Sequence, residues 1–209
     1  MSPILFSSCA KDPAIKNGRN YTSVPEYFPN PVYQKVFNQK EFDLGKALFY
    51  DPILSEDSSI SCASCHAQVH AFADHGAALS EGVNGRIGLR NSTALFNLKW
   101  MPTFMADGGI THIEIMPLAP LTDTLEMNNS SMLEVINRLN DNKEYTRDFK
   151  KVYRKEKIDD QQLFLALAQF MASLNSFSSK YDKVMQEEAE FTAVEQKGYD
   201  LFLANCNSC

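Results

Sequence analysis

Cys62-Ala63-Ser64-Cys65-His66 constrains this chain more than any other stretch of it. In the C-x-x-C-H pattern both thiols bond covalently to a haem, and the histidine that follows ligates the iron from one side. Cys206-Asn207-Ser208-Cys209 repeats the thiol pair, and the sequence stops where a second histidine would follow. A C-x-x-C pair also serves as a zinc half-site, a redox dithiol or a disulfide. The two pairs lie too far apart for a zinc ribbon, and the adjacent His66 turns the first toward haem. Two such motifs predict a di-haem protein, and the incomplete second one predicts that the sequence is a fragment.

Of 209 residues, 44% are hydrophobic and 22% charged, which excludes wholesale disorder. A net charge of −6 argues against a nucleic-acid partner, which would favour a basic surface. No run of about 18 apolar residues is present to span a membrane. The fifth cysteine, Cys9, follows Phe6-Ser7-Ser8 in a short apolar, small-residue stretch that resembles the lipobox of a bacterial lipoprotein signal peptide. This predicts a lipid anchor at Cys9 and a periplasmic location, which suits covalent haem attachment. The alternative for Cys9 is an incidental free thiol.

Strand signals are weak throughout, so the predicted class is all-α: cytochrome c-like domains, two in the full protein, with long irregular loops wrapping the haems. Pro25, Pro29 and Pro31 make the segment after Val24 an irregular lead-in. A helix is predicted from about Glu41 to Tyr50, with Leu44, Leu48 and Phe49 on one side and Pro52 ending it. Glycines between 76 and 92, and Gly and Pro between 100 and 125, predict loops. Further helices are predicted with Met132, Val135, Ile136 and Leu139 inward, around Tyr145, Phe149, Val152 and Tyr153, and with Leu163, Leu167, Phe170, Met171 and Leu174 as a core stripe. Thr192-Ala193-Val194-Glu195 reads as a capping box opening a last helix with Gly198, Leu201 and Phe202 inward. The expected division is a signal remnant and linker at 1–24, an N-terminal domain at 25–187, and the start of a second domain at 188–209.

Leu44 through Pro52, Ser61 through His66 and Ala71-Phe72-Ala73-Asp74 stand in one order with Gly85 through Asn91, Asp107-Gly108-Gly109, Pro117 through Pro120 and Leu125-Glu126-Met127. In this order and spacing the chain resembles the bacterial di-haem cytochrome c peroxidase family, which includes the MauG-like enzymes. The resemblance implies two haem c groups and reduction of hydrogen peroxide with electrons from a small redox protein. It makes Cys62 and Cys65 the tethers of the peroxidatic haem, with His66 as its proximal ligand. Cys206 and Cys209 become the tethers of the electron-transfer haem. Glu126 matches the family's acid–base carboxylate, with Glu114 a competing acid. Asn91 matches a calcium ligand between the haem domains, and Arg90 is a candidate partner of a haem propionate. A homodimer is one assembly left open.

Three positions depart from the family pattern. Val83 stands where many members have a distal histidine that ligates the first haem at rest; His75 is a nearby substitute. Met116 replaces a distal-pocket glutamine and cannot donate a hydrogen bond to peroxide. Ala106 replaces a tryptophan between the haems, and Trp100, six residues earlier, reads as core. These changes keep two other functions open: a non-catalytic di-haem electron carrier, and a MauG-like oxidase acting on a protein partner.

Overall fold

The computed structural model describes residues 24–74 and 76–208. Eight helices of the α type lie in these residues: α1 Gln39–Tyr50, α2 Cys62–Cys65, α3 Leu118–Thr122, α4 Met132–Asp141, α5 Lys143–Tyr153, α6 Asp160–Met171, α7 Lys180–Met185 and α8 Ala193–Asn205. Among the described residues there is no strand, only isolated bridges such as Ala67 with Ala73. The all-α class is therefore borne out.

Helix α1 begins two residues before its predicted start. Asn38 takes the N-cap, its side chain accepting from the amides of Lys40 and Glu41. Asp51 leaves the helix with extended backbone, as a residue before proline prefers. One Asp51 oxygen caps Ile53, and the other accepts from the Tyr145 hydroxyl at 2.6 Å, tying the end of α1 to α5. Phe42, Leu44, Gly45, Leu48 and Phe49 recur at helical spacing and are buried.

Their partner is α6, the element against which α1 packs most extensively. Asp159 and Gln162 form a capping box at its start, and Leu163, Ala166, Leu167, Phe170 and Met171 are buried. The approach is closest at Gly45, where an added Cβ would lie 1.9 Å from the Ala166 carbonyl oxygen. Helices α4 and α5 close the core with Val135, Leu139, Tyr145 and Phe149. Met132, Ile136, Val152 and Tyr153 pack beside them, half-buried.

Two expectations change. The Thr192–Glu195 capping box is present, but Gly198, Leu201 and Phe202 form no inner face. Leu201 is 56% exposed and Phe202 50%, and no residue of α8 is buried; its side-chain contacts lie at Glu195 and Tyr199. They are made by Lys180 with Glu195 and by Tyr199 against Tyr181 and Phe191. Helix α7 itself was not predicted; a Ser179–Asp182 capping box opens it in a polar stretch with little periodicity.

Gly45→Ala should destabilise the protein by roughly 1–3 kcal/mol, the usual cost of forcing volume into packed space. A lowered urea midpoint with unchanged slope is the expected observation; an unchanged midpoint would show that α1 and α6 can separate freely.

Candidate haem-binding cleft

Helix α2 is the single turn that carries both thiols. The Ser61 amide donates to Ser64 Oγ at 3.0 Å, and the His66 amide to the Cys62 carbonyl at 2.9 Å, so the four-residue turn is held at both ends. Cys62 and Cys65 are free thiols. Burial pushes the Cys62 thiol up to about 12, and burial also raises Cys65. Among the described residues there is no cluster of three or more His, Cys, Asp or Glu side chains able to hold a metal ion.

The orientation of His66 comes from an unusual turn. Ala71 and Phe72 both adopt left-handed backbone, at φ 56° and 59°. Such conformations cost non-glycine residues roughly 1–3 kcal/mol each and persist where the surroundings impose them. Here the Phe72 amide donates to the Ala67 carbonyl, and the Phe72 ring packs edge-on against Phe49 and Phe170. The turn delivers the Phe72 carbonyl to His66 Nδ1 at 2.9 Å. Nδ1 therefore carries the hydrogen, and Nε2 keeps its lone pair for a ligand. Burial lowers the His66 pKa, against the opposing pull of the Phe72 and Thr93 carbonyls and the Asp74 charge, which favours the neutral, ligating form at pH 7.

Cys62 and His66 face a cleft that encloses about 150 Å³ and opens to solvent. Phe49, Leu95, Leu167 and Met171 form its apolar wall; Met116, Pro117 and Pro120 stand with them. Asn91, Ser92, Thr93 and Glu126 supply polar groups. Apolar walls, the Cys62 thiol with Cys65 one helical turn on, and an imidazole held at Nδ1 are a donor set that fits haem c. The Met171 stripe read as core serves as cofactor wall as well.

The cleft gathers Cys62, His66, Asn91, Met116 and Glu126 from across the sequence. Cys65 does not line it; its Sγ donates to the Glu81 carbonyl oxygen at 3.9 Å. Met116 is 9% exposed and Ala106 also lines the space. Glu114 does not; it sits instead beside Tyr33, whose phenol its charge helps to raise. Arg90, on the cleft wall, forms an exposed ion pair with Asp107 at 2.8 Å. Trp100 is half-buried rather than core: its indole donates to the Pro29 carbonyl, and it packs edge-on with Phe28 and Phe177, off the cleft. Cys206 is exposed at the end of α8. Cys9, His75 and Cys209 lie outside the described residues.

Glu126 lines the cleft while remaining solvent-exposed. Partial desolvation raises its pKa from the ordinary carboxylate value, and the Asp123 charge adds to this. Its backbone is pinned by the loop that carries Val83. The Val83 amide donates to the Glu126 carbonyl at 2.8 Å, and Val83 is fully buried. An added Cβ at Gly82 would lie 2.1 Å from the Leu125 carbonyl oxygen. Arg86 donates to the Thr124 carbonyl and the Asn128 side chain, both at 2.8 Å. Gly82 and Arg86 stand in the loop and marker run that the sequence singles out, but their contacts with the Glu126 turn have no signal in the sequence.

A short all-α unit folded round C-x-x-C-H, with its histidine held for one-sided ligation, is a cytochrome c-like domain. The family description "di-haem cytochrome c peroxidase" matches residues 39–190. Cytochrome c peroxidase Ccp of Escherichia coli is 33% identical over 182 residues, covering 86% of this chain and 39% of that protein. Methylamine utilization protein MauG of Paracoccus denitrificans is 32% identical, covering 79% of this chain and 50% of that one. Among solved structures, a MauG-like protein associated with microbial copper homeostasis superposes with a TM-score of 0.80 at 32% identity, over 90% of this chain and 57% of its own. The chain belongs to the di-haem cytochrome c peroxidase family, and it spans about half or less of these two curated relatives.

Gly82→Ala should part the Val83 loop from the Glu126 turn. Faster amide exchange at Val83, with α1 and α6 unchanged, is the expected hydrogen-exchange result; unaltered protection would mean that the contact is not tight.

Proposed function

We propose that this chain forms the peroxidatic half of a periplasmic di-haem peroxidase, reducing hydrogen peroxide with electrons from a small c-type cytochrome or similar donor. The observation that carries the reading is the convergence of Cys62, His66 and Glu126 on one cleft. The balance is one peroxide, two electrons and two protons giving two waters. Haem c, tethered by Cys62 and Cys65 and ligated by His66, would supply the iron and the electron path.

The chain's own contribution is orientation and proton movement. Phe72 holds His66 Nδ1, so the imidazole presents Nε2 to the cleft. Glu126 takes the proton from one peroxide oxygen and returns it to the other, for which a carboxylate with a raised pKa is suited. Val83 contributes no ligand: it is buried, does not line the cleft and binds Glu126 through its backbone. Cys206 and Cys209 would tether the second haem in the remainder of the protein, from about residue 188 onward. Asn91 donates its amide to the Ala77 and Ala78 carbonyls, which leaves its oxygen to serve a calcium ion between the two haem domains. A lipid anchor at Cys9 accords with the periplasmic location.

One observation favours a second reading. Met116 lines the cleft with a thioether, and His with Met is the ligand pair of electron-transfer cytochromes c. A Met116 ligand would saturate the haem and make the protein a carrier.

Glu126→Gln tests the enzyme reading. Turnover with peroxide should fall roughly a hundred- to ten-thousand-fold, the range for losing a positioned acid–base group, with covalent haem content unchanged. Full activity in this variant would remove Glu126 from the role.

A further inference from the structure

Arg138 lies twelve residues beyond Glu126, on α4, and does not line the cleft. Its half-buried side chain nevertheless joins the segment between Phe49 and Cys62 to the one that follows Glu126, three residues that line the cleft. One nitrogen donates to the Ile53 and Ser55 carbonyls, both at 2.7 Å; another donates to the Asn129 side-chain oxygen at 2.9 Å. Asn129, 2% exposed, donates in turn to the Leu54 and Leu121 carbonyls at 2.9 and 2.8 Å.

The two groups that Arg138 joins lead directly to the site. Ser55 is fully buried and its hydroxyl accepts from the Ile60 amide, two residues before Cys62. Leu54, also fully buried, follows the end of α1. On the other side, Asn129 closes the turn that holds Glu126. There the Glu126 amide donates to the Asp123 carbonyl, Met127 to Pro120, and Asn129 to Leu121. The Glu56 amide donates to the Met127 carbonyl, a second bridge between the same two segments.

We infer that Arg138 is a positioning residue that fixes the distance between the haem anchor and the Glu126 carboxylate. The inference rests on the proposed role of Glu126. Arg138 forms no ion pair among the described residues, so its charge is spent on three oxygen acceptors in a planar fork. Lysine keeps the charge but cannot reproduce that fork. Misplacing a reacting group by about 1 Å can cost a hundredfold in rate. A loss confined to stability would instead reduce the amount of folded protein and leave each folded molecule unchanged.

The test uses haem-loaded protein carrying Arg138→Lys, with Arg138→Met as a second variant and Glu126→Gln as the reference. Two rates are read per folded haem: peroxide turnover, and the on-rate of hydrogen cyanide, which must surrender its proton to a base in order to bind as cyanide. Arg138→Lys should lower both roughly ten- to hundredfold, with covalent haem content retained. Arg138→Met should lower them at least as far. If Glu126→Gln slows both rates and the folded Arg138 variants do not, the positioning role is overturned while the role of Glu126 stands. If Glu126→Gln changes neither rate, the proposed function falls, and the Arg138 inference with it.

Discussion

Helices α1 and α6 meet at Gly45 with no room for a side chain, and the cleft is built outward from that contact. Because the helices touch there, Phe49 at the end of α1 and Leu167 and Met171 on α6 share one apolar wall. The Phe72 ring leans on the same surface through Phe49 and Phe170, so the strained turn that orients His66 depends on it as well. No other pair of helices packs as extensively. A bound haem would supply apolar surface that the long loops lack, which explains how so much irregular chain can surround one small core.

The opposite side of the cleft is organised by backbone contacts. The loop from Ser80 to Ser92 closes on itself through a Ser80–Ser92 hydroxyl pair at 2.7 Å and is stapled to the Glu126 turn by Val83 and Arg86. Val83 serves the packing of this loop, its side chain fully buried and its amide held by the Glu126 carbonyl. Arg86 and Arg138 then hold the Glu126 turn from two directions. A carboxylate used for proton transfer gains from such support, since its reach is short and its geometry decides its efficiency.

Much of this was legible in the sequence. Periodicity located α1, α4, α5 and α6 because each has a buried stripe, and the haem motif and the Glu126-Met127 pair located the two faces of the cleft. The Phe72 carbonyl was not legible, because consecutive left-handed residues at Ala71 and Phe72 have no glycine to announce them. Arg138 was hidden for a different reason: on a helix surface it reads as an ordinary exposed cation, and its acceptors are carbonyls more than eighty residues away. Leu201 and Phe202 were misread because periodicity identifies an apolar face without showing what covers it.

The proposed role of Glu126 requires that a haem tethered at Cys62 and Cys65 be ligated by His66 alone. Electron paramagnetic resonance of the full-length, fully oxidised haem-loaded protein tests it most directly. The expected result is a high-spin ferric signal from the His66 haem, lost on addition of peroxide. A low-spin signal from that haem, with two histidines or with His66 and a methionine, that persists in peroxide would contradict it.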